Sequence, residues 1–413
     1  MIFENDSSIT KNLKLHNKIS LLNHIRFTPE GISRAELARK MGLSRAAVSS
    51  IVNDLMAINV VREAAGGPAT GGRPAVLLEI NPACGYVLGV DMGATHLGLV
   101  LADFSARAIA EEEYPFDVSR GAEICLQEVD GRVRLFLEQR NFSLDDLLSI
   151  GVGVPGPVVS KTGGVIAPPI MPGWDKFPIR THLEALWGHP ITLNNDAELG
   201  ALGEWAFGAG RFETDLLYVK VGYGIGAGLL LNGNIYSGAT GSAGEIGHIT
   251  IQGNGPMCTC GNRGCLEALA GGRAIAQQAV NAIQTGRRTH MAAFASAEKI
   301  TALDVAAEAR KGDLVAQEII SQAGQYLGIA IASLINVVNP GMIVIGGGVS
   351  QIGDMFLEPI RRAVETRSLP AASRVVRITA AVLGRRSSGM GAVVQAISLA
   401  LNELMEHAYL IAN

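Results

Sequence analysis

Charged residues are scarce in this chain of 413 residues, at 17%, and aromatic residues supply only 5%. Low charge together with 48% apolar residues excludes a disordered or polyelectrolyte chain. No apolar run reaches the roughly 18 residues a membrane span requires. The N-terminal stretch MIFENDSSITKNLKLHNK lacks the apolar centre of a signal peptide. A cytoplasmic location without a membrane partner is therefore expected. Five cysteines are too few and too uneven for a disulfide framework, and a reducing compartment favours metal binding instead. Glycine, by contrast, is abundant at 50 residues, which suits an α/β protein with many tight turns. The length allows two or three domains.

Three of the five cysteines lie in one run, Glu245–Glu267, EIGHITIQGNGPMCTCGNRGCLE. His248, Cys258, Cys260 and Cys265 offer one imidazole and three thiolates, the ligand set of a closed tetrahedral zinc site. Gly255, Pro256, Gly261 and Gly264 supply the turns that bring such ligands together. The alternative is a group of buried thiols or a reactive pair. A closed set leaves no open position for water, so the expected role of zinc is structural. Cys84 and Cys125 sit among apolar residues and read as core.

The net charge of −4 is unevenly spread. Residues 11–75 carry ten Lys and Arg against four Asp and Glu, a surplus of six that leaves −10 for the rest. A basic head on an acidic body points to a polyanion bound at one end. Within that head, Leu15, Ile19, Leu22 and Ile25 follow helical spacing over residues 12–27. Ser33, with Glu36 three residues on, predicts a capped second helix that Gly42 ends; Ser44 caps a third, with Val48, Ile51, Val52 and Leu55 inward. Two short helices and a glycine turn make a helix-turn-helix, and strand, Gly-rich loop and strand then make a wing. Ser33, Arg34, Ser44, Arg45, Ser49, Ser50 and Asn53 are the candidate contacts to DNA, with Arg73 in the wing as a minor-groove candidate. The alternative is a small helical domain with an ordinary solvated face. The head is expected to end near Ile80-Asn-Pro82.

Beyond it, Tyr86–Asp91 reads as a buried strand, Met92–His96 as a tight turn and LGLVLAD as a returning strand. Val221–Gly228 resembles a dinucleotide fingerprint but runs into a strand and an Asn-Gly turn rather than a helix, so it reads as a β-hairpin. Met342–Gly348 is a buried strand ending in glycines. Residues 301–337 and 353–365 read as helices, as does the final segment 388–408.

GEIGH followed by C-x-C-G-x-x-G-C-x-E resembles the signature of the ROK family of sugar kinases and sugar-responsive repressors, over residues 82–400. The winged head places the chain beside the family's repressors, the xylose-type and N-acetylglucosamine-type among them. The resemblance implies an actin-like (ribonuclease H-like), two-lobed sugar-kinase fold behind a winged helix-turn-helix. The implied division is a head over 1–80, a first lobe over 81–195 plus 388–413, and a second lobe over 196–387 with the zinc site and a dimerisation surface. It implies sugar contacts from Gly156, Trp174, Asn195, Asp196, Glu245, His248 and Glu267, with Asp196 in the kinases' base position. Asp91, Gly93, Thr95, Gly222, Gly224, Gly346 and Gly347 match nucleotide loops, which would hold ATP and Mg2+ were kinase activity retained. Two departures oppose that activity: Gly93-Ala94-Thr95-His96 stands where Gly-Gly-Thr is usual, and Tyr223 replaces a phosphate-facing Thr. The function implied is a repressor of carbohydrate-utilisation genes, with double-stranded operator DNA, a sugar effector and its own copies (dimer or tetramer) as partners. The alternative is an ATP-dependent sugar kinase carrying a DNA-binding head.

Overall fold

A computed structural model describes residues 17–28, 30–64, 75–159, 161–294 and 299–412, with side chains through Glu406. The chain begins with α1 (17–26), α2 (Arg34–Met41) and α3 (Arg45–Ala57), flanked by β1 (Ile32–Ser33), β2 (Val61–Ala64) and β3 (Leu77–Ile80) in an antiparallel sheet of order β1-β3-β2. Local chemistry sets these limits. The Ser33 hydroxyl accepts from Glu36 N at 3.2 Å, and the Ser44 hydroxyl accepts from Ala47 N at 3.1 Å. Gly42 closes α2 at φ 64°, where a Cβ would be strained. The reciprocal half of the Ser33 capping box does not form; Glu36 turns to Lys40 at 3.7 Å instead.

Two five-stranded sheets follow. In the first, β4 (Tyr86–Met92), β5 (His96–Asp103) and β6 (Ala108–Pro115) form an antiparallel meander; β7 (Leu147–Val154) then pairs parallel to β4, and β10 (Ile191–Asn195) parallel to β7. A two-stranded ribbon, β8 (Val158–Val159) and β9 (Gly164–Val165), branches from it, with α4 (Ala122–Glu138) and α5 (Ile179–Trp187) as its helices. In the second, β11 (Leu216–Val221), β12 (Ile225–Leu231) and β13 (Asn234–Ile235) repeat the meander; β14 (Met342–Gly346) pairs parallel to β11, and β15 (Arg377–Ala380) parallel to β14. The strand orders, β10-β7-β4-β5-β6 and β13-β12-β11-β14-β15, are one topology used twice. Asn232 and Gly233, both at positive φ, form the expected Asn-Gly turn.

Between the sheets lies α6 (Asp196–Phe207), which packs on β11, β12 and the long α13 (Ser387–Ala412). The two helices cross backbone to backbone: a Cβ on Gly203 would lie 2.1 Å from Ser387 O, and one on Gly391 1.8 Å from Leu199 O. The second sheet is covered by α7 (Leu266–Ala270), α8 (Gly272–Gln284), α9 (Ala302–Arg310), α10 (Leu314–Val338), α11 (Asp354–Arg367) and the short α12 (Pro370–Ser373). The expected final helix is thus present, and it packs on β4, β7 and the head. Leu21, Leu22 and Ile25 of α1 share one apolar cluster with Val393, Ile397 and Leu401 of α13. Among the described residues, no helix is long and apolar enough to cross a membrane.

Candidate effector cleft and DNA-facing helix

A cleft of about 650 Å³ opens between the two sheets. Its first side carries Gly156, Asn195, Asp196, Glu245, His248 and Glu267. Asn195 ends β10 and caps α6: its Oδ1 accepts from Ala197 N (2.8 Å) and Glu198 N (3.3 Å), and its Nδ2 donates to Gly156 O at 3.0 Å. One Asn195 N–H is left for a ligand. Glu267, in the first turn of α7, accepts from Ile225 N at 3.0 Å and so ties the cysteine-bearing loop to the β11–β12 hairpin. Burial, then the charges of Asp196, Glu267 and Glu198, push the Glu245 carboxyl up to about 7. Such a group of acids with one amide donor matches the hydroxyls of a sugar.

Trp174 does not belong to this site. It is fully buried in the first-lobe core, and its Nε1 donates to Val118 O at 2.9 Å. A Pro-Gly-Trp loop reads as surface, but here the ring is large enough to fill the space under that loop, and its one polar atom finds a backbone partner.

The four predicted zinc ligands converge, with their ligand atoms within 4.8 Å of one another. Cys258 Sγ lies 3.6 Å from His248 Nδ1, and Cys260 Sγ 3.7 Å from Cys265 Sγ. Three soft donors and one imidazole at such spacing fit a tetrahedral Zn2+. His248 turns Nδ1 toward the thiols and Nε2 toward Glu245 Oε2 at 3.9 Å, so a single ring spans the cysteine cluster and the cleft.

The cleft's opposite side carries Thr95, Gly222, Tyr223, Gly224, Arg273, Val280, Leu303 and Gly347. Of the predicted nucleotide residues, Thr95, Gly222, Gly224 and Gly347 line the space, whereas Asp91, Gly93 and Gly346 do not. Gly346 is explained by packing alone, since a Cβ there would lie 2.1 Å from Tyr218 Oη.

Sequence reasoning missed the group at the cleft floor. The Lys220 ammonium, on β11, donates to Asp196 Oδ2 at 2.8 Å and Ser388 Oγ at 3.2 Å, and lies 3.8 Å from Asp91 Oδ1. His96 Nε2 is 3.2 Å from the other Asp91 oxygen. Asp91 Oδ1 makes no hydrogen bond and faces only the lysine charge. Burial acts to raise the Asp91 carboxyl, but Lys220 and His96 outweigh it and hold it below its ordinary value. Burial likewise opposes the Lys220 charge, yet Asp196 and Asp91 raise its pKa above that of a free lysine. The signal was present as one lysine inside the apolar strand LLYVKV.

In the head, α3 turns Arg45, Ser50 and Asn53 outward and keeps Ser49 half-buried. Ser33 and Ser44 serve as helix caps. Arg34 donates to Asn53 Oδ1 (2.9 Å) and Glu63 Oε1 (3.2 Å), and so braces α2, α3 and β2. Lys18, Lys40 and Arg62 are likewise paired with acids, whereas Arg39 and Arg45 have no acidic partner among the described residues. Arg73 and the rest of the wing loop lie outside those residues.

The head meets the body through Arg26 and Phe27. Arg26 is 5% exposed, and donates to Val394 O (2.7 Å) and Ser398 Oγ (3.0 Å) of α13. No carboxylate pairs with it among the described residues, its Nε has no partner, and burial lowers its pKa to about 9. Phe27 packs edge-on against Trp205 of α6, with centroids 4.7 Å apart.

Fold and site together define a two-lobed, actin-like protein of the sugar-kinase type, with a helix-turn-helix head and, at its cleft, one histidine and three cysteines placed so that they could hold a metal. The ROK family's profile matches residues 87–398, and the chain belongs to that family. It is 31% identical to a xylose repressor of Caldicellulosiruptor bescii, over 94% of this chain and 96% of the relative. A glucokinase of Halalkalibacterium halodurans is 35% identical over 74% of this chain and 93% of its own. A solved ROK family transcriptional regulator, a homologue of the Escherichia coli MLC protein, superposes with a TM-score of 0.80 at 28% identity, over 95% of this chain and 99% of that one.

Proposed function

We propose that this chain is a sugar-responsive transcriptional repressor of carbohydrate-utilisation genes. The head binds operator DNA as part of a dimer or larger homo-oligomer, and a sugar in the cleft releases it. The observation that carries this reading is the path of α6. Its first turn holds Asn195 and Asp196 at the cleft, and its last turn holds Trp205 and Phe207 against Phe27 of the head. A 12-residue helix is a rod of about 18 Å. A ligand that draws Asp196 toward its hydroxyls tilts that rod and moves the head's seat. Two half-sites must match the DNA turn, so a small change in head spacing weakens binding. The sugar must favour one arrangement over the other for this to work.

The residues divide the task. Asp196, Glu245 and Glu267 accept hydrogen bonds from hydroxyls, and Asn195 donates one. Zn2+ on His248, Cys258, Cys260 and Cys265 supplies a fixed anchor that keeps the loop between Glu245 and Glu267 in one shape. Arg45 and Ser50 meet bases or phosphates, and Arg34 and Asn53 are free to exchange their mutual bond for DNA contacts. Relatives named for xylose support a pentose effector, but one hydroxymethyl group separates pentose from hexose. The test is binding of the protein to labelled upstream DNA during titration with xylose, glucose, N-acetylglucosamine and mannose. Release by one sugar supports the reading and names the effector; failure to bind at low salt sinks it.

A second reading, an ATP-dependent sugar kinase with Asp196 as base, rests on the glucokinase relative. ADP release across hexoses and pentoses tests it.

A further inference from the structure

The two sheets place a charged side chain at matching positions. Asp91 is the last residue but one of β4, and Lys220 the last but one of β11; each strand is the first of its meander. Asp91 faces Gly98 on the hairpin partner and Gly153 on the parallel neighbour. Lys220 faces Gly226 and Gly346 in the same two relations. The duplicated fold thus brings one acid and one base together at the cleft floor, 3.8 Å apart, with Asp196 closing the group at 2.8 Å from the ammonium.

We propose that Lys220 is a resident cation that determines ligand class: it occupies the space between Asp91 and Asp196, excludes a divalent metal with its nucleotide, and leaves the cleft to uncharged polyols. A divalent cation needs open carboxylate oxygens at about 2.0–2.6 Å and room for several further oxygens. Here Asp196 Oδ2 accepts from Lys220, Asp91 Oδ2 contacts His96, and Asp91 Oδ1 faces the same ammonium. Lys220 is 14% exposed and held also by Ser388, so it cannot swing aside without leaving two carboxylates facing each other. Mg2+ and ATP therefore do not fit this floor as it stands, and Tyr223 narrows the approach from the same hairpin. The lysine also ties the second sheet to the first, because both acids belong to the first sheet or its α6 junction.

This inference deepens the reading of the cleft as a sugar site and rests on it. The experiment uses zinc-loaded, full-length protein and Mn2+ as the probe, followed by electron paramagnetic resonance and calorimetry with and without AMP-PNP. The wild type is expected to take up no Mn2+ at millimolar concentration. Lys220→Ser is expected to bind it at least about tenfold more tightly, since two carboxylates are released from their counter-ion. Lys220→Ser with Tyr223→Thr is expected to bind Mn2+·AMP-PNP. The charge-balanced pair Lys220→Met with Asp91→Asn keeps the fold if single variants lose it, and is expected to bind no metal. Saturable Mn2+ binding at the cleft of the wild type overturns the proposal without recourse to any variant. So does a folded Lys220→Ser protein with no gain. Either result leaves sugar-dependent operator release, measured separately, untouched.

Discussion

The two sheets of this molecule have one topology but opposite endowments. The first ends its leading strand in an acid, and the second in a base. Among the described residues, the first has no counterpart of the His/Cys loop, and the second has no counterpart of the head, which packs with α13 on the Val87, Val100 and Ala102 face of the first sheet. Duplication supplied a symmetric frame, and the functional parts are the departures from symmetry. The cleft is lined where Asn195 of the first sheet and Asp196 of α6 meet Glu245 and Glu267 of the second half.

The largest way to break the comparison is to remove what only the second half has. Chelation of zinc is expected to melt the second lobe first, splitting one thermal transition into two and lowering the earlier by about 10 °C or more. Calorimetry with and without chelator reads this directly, and a single unsplit transition would argue that the lobes unfold as one. Next is the charge pair. Lys220→Glu should cost about 3–5 kcal/mol in chemical denaturation, because it leaves three acids at one buried point. A double-mutant cycle of Lys220→Met and Asp91→Asn should show coupling of about 1–3 kcal/mol.

Smaller effects sharpen the contrast. Arg26→Met keeps the stem that packs the head on α13 and removes an uncompensated buried charge. It is expected to stabilise the protein by about 1–3 kcal/mol while blunting sugar-induced release from DNA. Destabilisation by that change would mean that the two hydrogen bonds to α13 outweigh the cost of burial. Finally, the four glycines beside the charged pair should differ. Gly346→Ala meets Tyr218 Oη at 2.1 Å and is expected to cost about 1–3 kcal/mol. Gly153→Ala, against Leu199 Cδ1 at 2.8 Å, should cost less, since that methyl is the end of a flexible side chain. Gly98→Ala and Gly226→Ala meet only ordinary contacts of 3.6 and 3.5 Å and should lie within about 0.5 kcal/mol of wild type.

What could be read in the sequence follows from distance along the chain. His248, Cys258, Cys260 and Cys265 fall within eighteen residues, so their spacing alone marks a candidate metal site. The capped helices of the head and both glycine hairpins are local as well, and Ser33, Ser44 and Gly233 behave as their chemistry dictates. Family resemblance placed Asn195, Asp196, Glu245, His248 and Glu267, and the fold brings them to one side of one cleft. Lys220 escaped because its partners, Asp91, Asp196 and Ser388, come from distant strands and helices. Arg26 escaped for the same reason, since its acceptors lie on α13. Trp174 was misplaced because a turn-forming sequence says nothing about what lies beneath the turn.

The shared apolar cluster of α1 and α13 also imposes a timetable. Arg26 is made early and its acceptors on α13 late, 368 and 372 residues further on. At about 5–20 residues per second, synthesis separates them by roughly 20 to 75 seconds. Throughout that interval the cluster around Leu21, Leu22 and Ile25 lacks the part that α13 contributes. A chain cut short before α13 forfeits the acceptors of Arg26 and part of the apolar cluster around α1, hundreds of residues upstream. The head is thus seated on the body only once α13 has been made.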